Sequence, residues 1–212
     1  MNDKKAAQIV DKLAEVYPNA RPALHFKNNF QLLIAVMLSA QCTDERVNKV
    51  TAELFKEYDA PEKFLTLSAE ELGKKIYSCG LYRSKAEHII STCRDLVEKY
   101  GGKVPETLED LRTLAGVGRK TANVVYSVGC GGDAIAVDTH VFRVSNRIGL
   151  ARADDVYQTE MQLMKRIEKN RWSASHHYLI YHGRNVCKAQ RPQCKTCVLA
   201  DLCEYKNKNL KV

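Results

Sequence analysis

No stretch of this chain is apolar for long enough to cross a bilayer. The longest apolar run, Leu32 to Leu38, falls far short of the roughly 20 residues a spanning helix needs. The N-terminal MNDKKAAQIVDK also lacks the apolar centre of a secretory signal, so a soluble, cytoplasmic protein is expected. Nothing alternates polar with apolar at period two, which argues against a half-buried sheet and leaves helices. Internal repeats and low-complexity linkers are missing as well, so neither a solenoid nor a loosely tethered pair of modules is expected. Acidic residues are the minority charge: 25 Asp and Glu stand against 33 Lys and Arg, a net +8. That surplus favours a polyanionic partner over an acidic small molecule.

What is present is helical. Ile9, Val10, Leu13 and Val16 share a face and predict a first amphipathic helix ended by Pro18 and Pro22. Phe30 to Leu38 is apolar nearly all round, the pattern of a central helix in a bundle. Thr43 or Asp44 caps the helix carrying Val47, Val50, Leu54 and Phe55. Ser68 and Glu71 form a capping box for a helix through Ile76, broken by Gly80. Helices follow over 83–100, from Thr107 to Leu114, and over 119–128. Past a glycine break near Gly131 they resume over 139–148, 155–168 and 173–186. At 212 residues the chain suffices for one generous domain or two small ones.

Eight cysteines in a reducing cytosol point to metal ligation where they cluster. Cys187, Cys194, Cys197 and Cys203 are spaced by six, two and five residues, without the two close pairs usual for zinc. Four thiolates also suit a [4Fe-4S] cluster. Cys42, Cys79, Cys93 and Cys130 are scattered and read as buried thiols.

The densest chemistry lies between Leu114 and Val141, LAGVGRKTANVVYSVGCGGDAIAVDTHV. Gly116-Val117-Gly118 predicts a tight turn before Arg119, its two glycines permitting positive φ and leaving N–H groups open at a helix N-terminus, where an anion is favoured. Alone, a Gly-x-Gly turn is as readily an ordinary helix turn. Lys120 alone is a solvated lysine, and Asp138 the N-cap of the next helix.

The string LAGVGRKTANVV resembles the helix-hairpin-helix of the base-excision DNA glycosylases. The likeness extends through VDTHVFRV, LSAQCTD, GLYRSKA and the C-terminal cysteines, and so covers essentially the full length. Cys42 stands where that family more often has alanine. The resemblance implies an all-α, helix-hairpin-helix DNA glycosylase fold: a six-helix barrel lobe over 22–132 and an iron-sulfur cluster lobe made from 1–21 and 133–212.

It also implies roles. Lys120 would be the nucleophile that attacks C1′ of a damaged nucleotide as a Schiff base forms. That demands a neutral amine, scarce for an ordinary lysine at neutral pH, so exclusion of water by bound DNA has to help. Asp138 would be the catalytic carboxylate. Gln41 and Leu81 match the positions that fill the hole and wedge the duplex when a nucleotide is extruded; without the resemblance Leu81 reads as a buried leucine. Ser39, Asp44 and His140 are candidate pocket residues. Gly116, Val117, Gly118 and Arg119 would hold the DNA backbone; Lys188 and Arg191, from their own place in the loop after Cys187, would meet phosphates. Cys187, Cys194, Cys197 and Cys203 would carry a [4Fe-4S] cluster of structural role.

The expected activity is that of a bifunctional glycosylase and abasic-site lyase. It would remove oxidised or ring-damaged pyrimidines from duplex DNA and cut the strand by β-elimination, acting as a monomer. The alternatives are a non-catalytic helix-hairpin-helix DNA-binding module and a monofunctional adenine glycosylase of the same fold. Lys120 and the chain's ending soon after the cysteines fit the latter poorly.

Overall fold

A computed structural model of the protein describes residues 2–210. In chain order its α-helices are α1 (Asp3–Val16), α2 (Asn29–Leu38), α3 (Asp44–Glu57), α4 (Pro61–Phe64), α5 (Ala69–Lys75), α6 (Tyr82–Tyr100), α7 (Leu108–Leu111), α8 (Arg119–Val124), α9 (Thr139–Ile148), α10 (Val156–Arg166) and α11 (Trp172–Asn185). There is no strand among the described residues, so the fold is all-α as the missing alternation predicted. The chain divides into two units. One is Pro22–Gly132; the other joins the residues up to Arg21 with those from Asp133 onward.

In the first unit α2 is the core. Every residue from Phe30 to Leu38 is buried, and the helix packs on α3, α6 and α8. A helix apolar on all sides has no face to offer water, which forces it to the middle. Leu32, Leu33, Ile34 and Leu38 are fully enclosed, each contributing about 1.5–3 kcal/mol over exposure. The surrounding helices start where short polar side chains supply the missing acceptors. Asn28 caps α2 and Thr43 caps α3. Ser68 and Glu71 close both bonds of the capping box on α5. Between the two residues open as caps for α3, the geometry selects Thr43; Asp44 is the first helical residue.

Two expected helices are interrupted. The Thr107 segment stays helical only to Leu111; Thr113 and Leu114 then bond three residues back, a tighter turn that ends the helix early. The segment from Arg119 passes into a π-helical turn at Val125–Gly129. There Gly129 lies so near α2 that a Cβ would come within 2.8 Å of Asn29 Oδ1. Of the scattered cysteines, Cys79 and Cys93 are buried as expected, while Cys42 and Cys130 are only partly covered.

The second unit is built on α9 and α11. Their close approach is set at Gly183, where a Cβ would meet His140 Cβ and Val144 Cγ2 at 3.1 Å. Helix α1 lays Ala6, Ile9, Val10 and Leu13 against α11 and α10. The core holds Val141, Val144, Ile148, Leu163 and Leu179 with them.

Candidate functional site

In the first unit α7, a turn and α8 form the hairpin. Thr92 of α6 donates to the Ala115 carbonyl at 2.8 Å, and the Val117 N–H reaches the Leu114 carbonyl at 3.1 Å. Gly116 sits at φ +72°, and a Cβ there would lie 2.8 Å from His88 Cβ; both the conformation and the space demand glycine. Val117 is 5% exposed and pegs the turn into the core. Gly118 departs from expectation. Its φ is −79° with ψ 176°, a backbone open to any residue, and a Cβ would meet nothing within 4 Å. What glycine provides here is bareness, because it brings no side chain of its own to the first N–H groups of α8. No side-chain cap bond closes that end among the described residues. Lys120, second residue of the helix, is exposed.

Two loops flank α2 and α6. The first follows the end of α2, where Ser39 donates its hydroxyl to the Val36 carbonyl at 2.8 Å and the chain turns at Gln41. The second follows a 3-10 turn, Tyr77–Cys79, and turns at Gly80 and Leu81. Leu81 is 56% exposed, which overturns its reading as a buried leucine. Among the described residues the non-glycine positions at positive φ are Gln41 (φ 53), Leu81 (φ 46) and Arg191 (φ 48). Left-handed backbone costs a side-chain-bearing residue about 1–3 kcal/mol and persists where the surroundings impose it, most often at working sites. The family resemblance gives DNA contacts to Gln41 and Leu81, and Arg191 lies in the loop between the first two clustered cysteines.

In the second unit Asp138 caps α9, its Oδ1 accepting from the Val141 N–H at 2.7 Å. The bland role is therefore filled, and it uses one carboxylate oxygen. His140 is half-buried, with Nδ1 3.2 Å from Arg143 Nη2. Arginine has no acceptor, so Nδ1 is the acceptor here. Burial, outweighing the attraction of Asp138, lowers the pKa of this imidazole. Arg143 also donates to the Gly183 carbonyl at 2.9 Å and the Cys187 carbonyl at 3.1 Å.

Cys187, Cys194, Cys197 and Cys203 line a single small cavity of about 20 Å³. Burial first, then the neighbouring sulfurs, push the Cys197 and Cys203 thiols up. Among the described residues no three His, Cys, Asp or Glu side chains gather closely enough to hold a metal ion. His182, pushed down to about 4 by burial, places Nε2 3.5 Å from Cys197 Sγ.

Sequence reasoning missed Arg147. It donates to the Lys188 carbonyl at 2.7 Å and the Ala189 carbonyl at 2.9 Å, and lies 4.7 Å from the Tyr205 ring centroid. It thereby holds the loop that carries Lys188 and Arg191, both exposed. The available signal was the pairing of Arg143 with Arg147 four residues apart, hence on one face of α9.

Fold and hairpin together define a class. The family described as HhH-GPD superfamily base excision DNA repair protein matches residues 34–169. Within it, endonuclease III of Haemophilus influenzae is 49% identical over 98% of this chain and 99% of that protein. Endonuclease III of Escherichia coli strain K12 is 48% identical over the same shares. A solved endonuclease III, trapped with DNA as a covalent intermediate in an estranged-adenine complex, superimposes with a TM-score of 0.92 at 50% identity over 96% of both chains. The chain belongs to the endonuclease III family, and is a base-excision DNA glycosylase and abasic-site lyase. Neither the non-catalytic module nor the adenine glycosylase is favoured.

Proposed function

We propose that Lys120 and Asp138 carry out excision and strand cleavage on oxidised or ring-damaged pyrimidines in duplex DNA. The observation that carries this is Lys120 itself: an exposed amine one residue inside an uncapped helix N-terminus, on a hairpin locked by Gly116 and Val117. The neutral amine attacks C1′ and forms a C–N bond as the glycosidic bond breaks and the base leaves with a proton. Ring opening gives the Schiff base. Loss of a C2′ proton then expels the 3′ phosphate by β-elimination, and water releases Lys120. Support comes also from the structural relative trapped covalently on DNA.

Asp138 would stabilise the positive charge that grows on the sugar as the base departs, and would relay protons afterwards. Its Oδ1 is engaged by the Val141 N–H, which holds the carboxylate still. Gln41 and Leu81 would open the duplex, Ser39 and Asp44 beside Gln41 would reach for the extruded base, and His140 is a further candidate for base contact. The hairpin residues Gly116 to Arg119, with Lys188 and Arg191, would bind phosphates. We place the protein in the cytoplasm with the chromosomal DNA, as a monomer; no helix among the described residues is long and apolar enough to cross a membrane.

The four cysteines fit a [4Fe-4S] cluster in number, in chemistry and in facing one cavity. When bound, the cluster supplies a cross-link between segments that have little core of their own. Arg147, Arg143 and His182 orient its loop and its sulfurs.

Borohydride reduction in the presence of a duplex carrying an abasic site tests the lyase: the wild-type protein should be trapped as a covalent adduct, and no adduct would falsify the Schiff-base route. Neutralising about four or five phosphates should give log affinity a slope near minus four against log salt. A flat response would dismiss the basic surface as the grip. Leu81→Ala should slow base excision by about tenfold more than cleavage of a preformed abasic site, because only excision has to extrude a stacked nucleotide. Equal losses in the two assays would make Leu81 a packing residue.

A further inference from the structure

Lys85 is 6% exposed, although lysine is almost never fully buried without a partner. Its Nζ donates to the Leu38 carbonyl at 2.7 Å and to the Cys79 carbonyl at 2.8 Å. These two carbonyls have something in common. Leu38 is the last residue of α2 and Cys79 the last of the 3-10 turn, so each belongs to a helical end that has run out of N–H partners and carries partial negative charge. One amine thus caps two C-termini at once. The Cys79 thiol does not compete for it: burial, with Cys42 alongside, pushes it up to about 11, so its sulfur stays neutral.

Each capped end leads directly into a left-handed residue. Three residues beyond Leu38 comes Gln41 at φ 53, and two beyond Cys79 comes Leu81 at φ 46. The Lys85 N–H in turn bonds the Leu81 carbonyl at 3.0 Å. Both left-handed side chains therefore spring from backbone that Lys85 grips, one through its amine and the other through amine and amide together. Strained conformations need such over-determination to persist.

We propose that Lys85 is a positioning residue for nucleotide extrusion: by clamping the ends of α2 and of the Tyr77–Cys79 turn it fixes the spacing and aim of Gln41 and Leu81. The inference rests on the extrusion roles proposed for those two residues. Lys85 itself touches neither base nor sugar. A packing role alone would make its loss lower both activities together through the folded fraction.

The test compares Lys85→Met, which keeps the length and loses the donors, with Lys85→Arg, which keeps donors and charge. Single-turnover excision from an oxidised-pyrimidine duplex and cleavage of an abasic duplex are measured at matched folded fraction. The ratio of excision to cleavage should fall roughly tenfold in Lys85→Met and recover in part in Lys85→Arg. In a Leu81→Ala background Lys85→Met should lower the ratio little further, because the wedge it aims is already gone. An unchanged ratio in Lys85→Met, or losses that multiply in the double variant, overturns the clamp. If Lys85→Met does not fold, Lys85→Arg carries the test, since its bulkier head disturbs the spacing and an unaltered ratio there overturns the clamp. Wild-type cleavage of abasic DNA, run alongside, checks the underlying reading on its own: absence of cleavage overturns that reading, whereas cleavage with an unshifted ratio overturns only the clamp.

Discussion

Lys120→Ala is expected to abolish borohydride trapping and to slow abasic-site cleavage by at least about a thousandfold, ~4 kcal/mol of transition-state stabilisation. The size follows from covalency. An amine held against C1′ converts strand scission into two easier steps, and no neighbouring group substitutes for a nucleophile that forms a bond. DNA affinity should change little by comparison, because one phosphate contact among several governs only about one unit of the salt slope. Lys120→Arg ought to be nearly as defective as the alanine variant, since a guanidinium stays charged at any working pH. Trapping that survives in Lys120→Ala would transfer the chemistry to another amine. Stability is the control: Lys120 is exposed, so unfolding midpoints should agree within the spread of surface substitutions, about 0.5 kcal/mol.

Replacing Cys197 with serine is the second large effect. From Cys187 to Leu210 the buried residues are Pro192 and Leu199, too few to hold a segment of that length by apolar burial. What else ties it down is polar: Arg147 to the Lys188 and Ala189 carbonyls, and Glu204 to Lys5 and Arg152. Glu204 is held below the usual carboxylate range by Arg152, yet such surface pairs are worth about 1 kcal/mol or less each. With the proposed cluster as the remaining staple, a missing thiolate should cost that group, and with it the tail. Purified Cys197→Ser should lack stoichiometric iron, lose the visible absorbance of the cluster, and be cut by trypsin within the tail. DNA binding should weaken by about tenfold or more as Lys188 and Arg191 lose their framework. Full iron content with normal proteolytic resistance would remove the cysteine from the ligand set.

The features legible in the sequence are those settled by neighbours in the chain. Ser68 with Glu71, Thr107 before Asp110 and Asp138 before Val141 each cap a helix three residues away, so a short string contains the whole interaction. The burial of α2 was equally plain, because no arrangement exposes a helix that is apolar on every side. Less visible was the backbone at Gln41, Leu81 and Arg191. Nothing local favours a left-handed glutamine, leucine or arginine; the surrounding structure imposes it. Lys85 was hidden for a related reason, since its partners lie 47 and 6 residues away and a lysine near a helix start ordinarily faces water. Gly118 shows the opposite error. Two glycines flanking Val117 look interchangeable, but His88 crowds only the first. The roles proposed for Lys120, Gln41 and Leu81 came from the family resemblance, which periodicity and spacing could not replace.

Helix α1 buries its apolar face among α10 and α11, elements at the other end of the chain. During synthesis, at about 5–20 residues per second, the 22–132 unit and the segment up to Asp155 have to leave the ribosome before α10 even begins to emerge, a wait of roughly 7–27 s on that scale. For that interval Ala6, Ile9, Val10 and Leu13 form an uncovered greasy stripe on a nascent chain. The unit in the middle can fold meanwhile, whereas α1 depends on arrivals from the far end, so the first helix made is among the last to be buried.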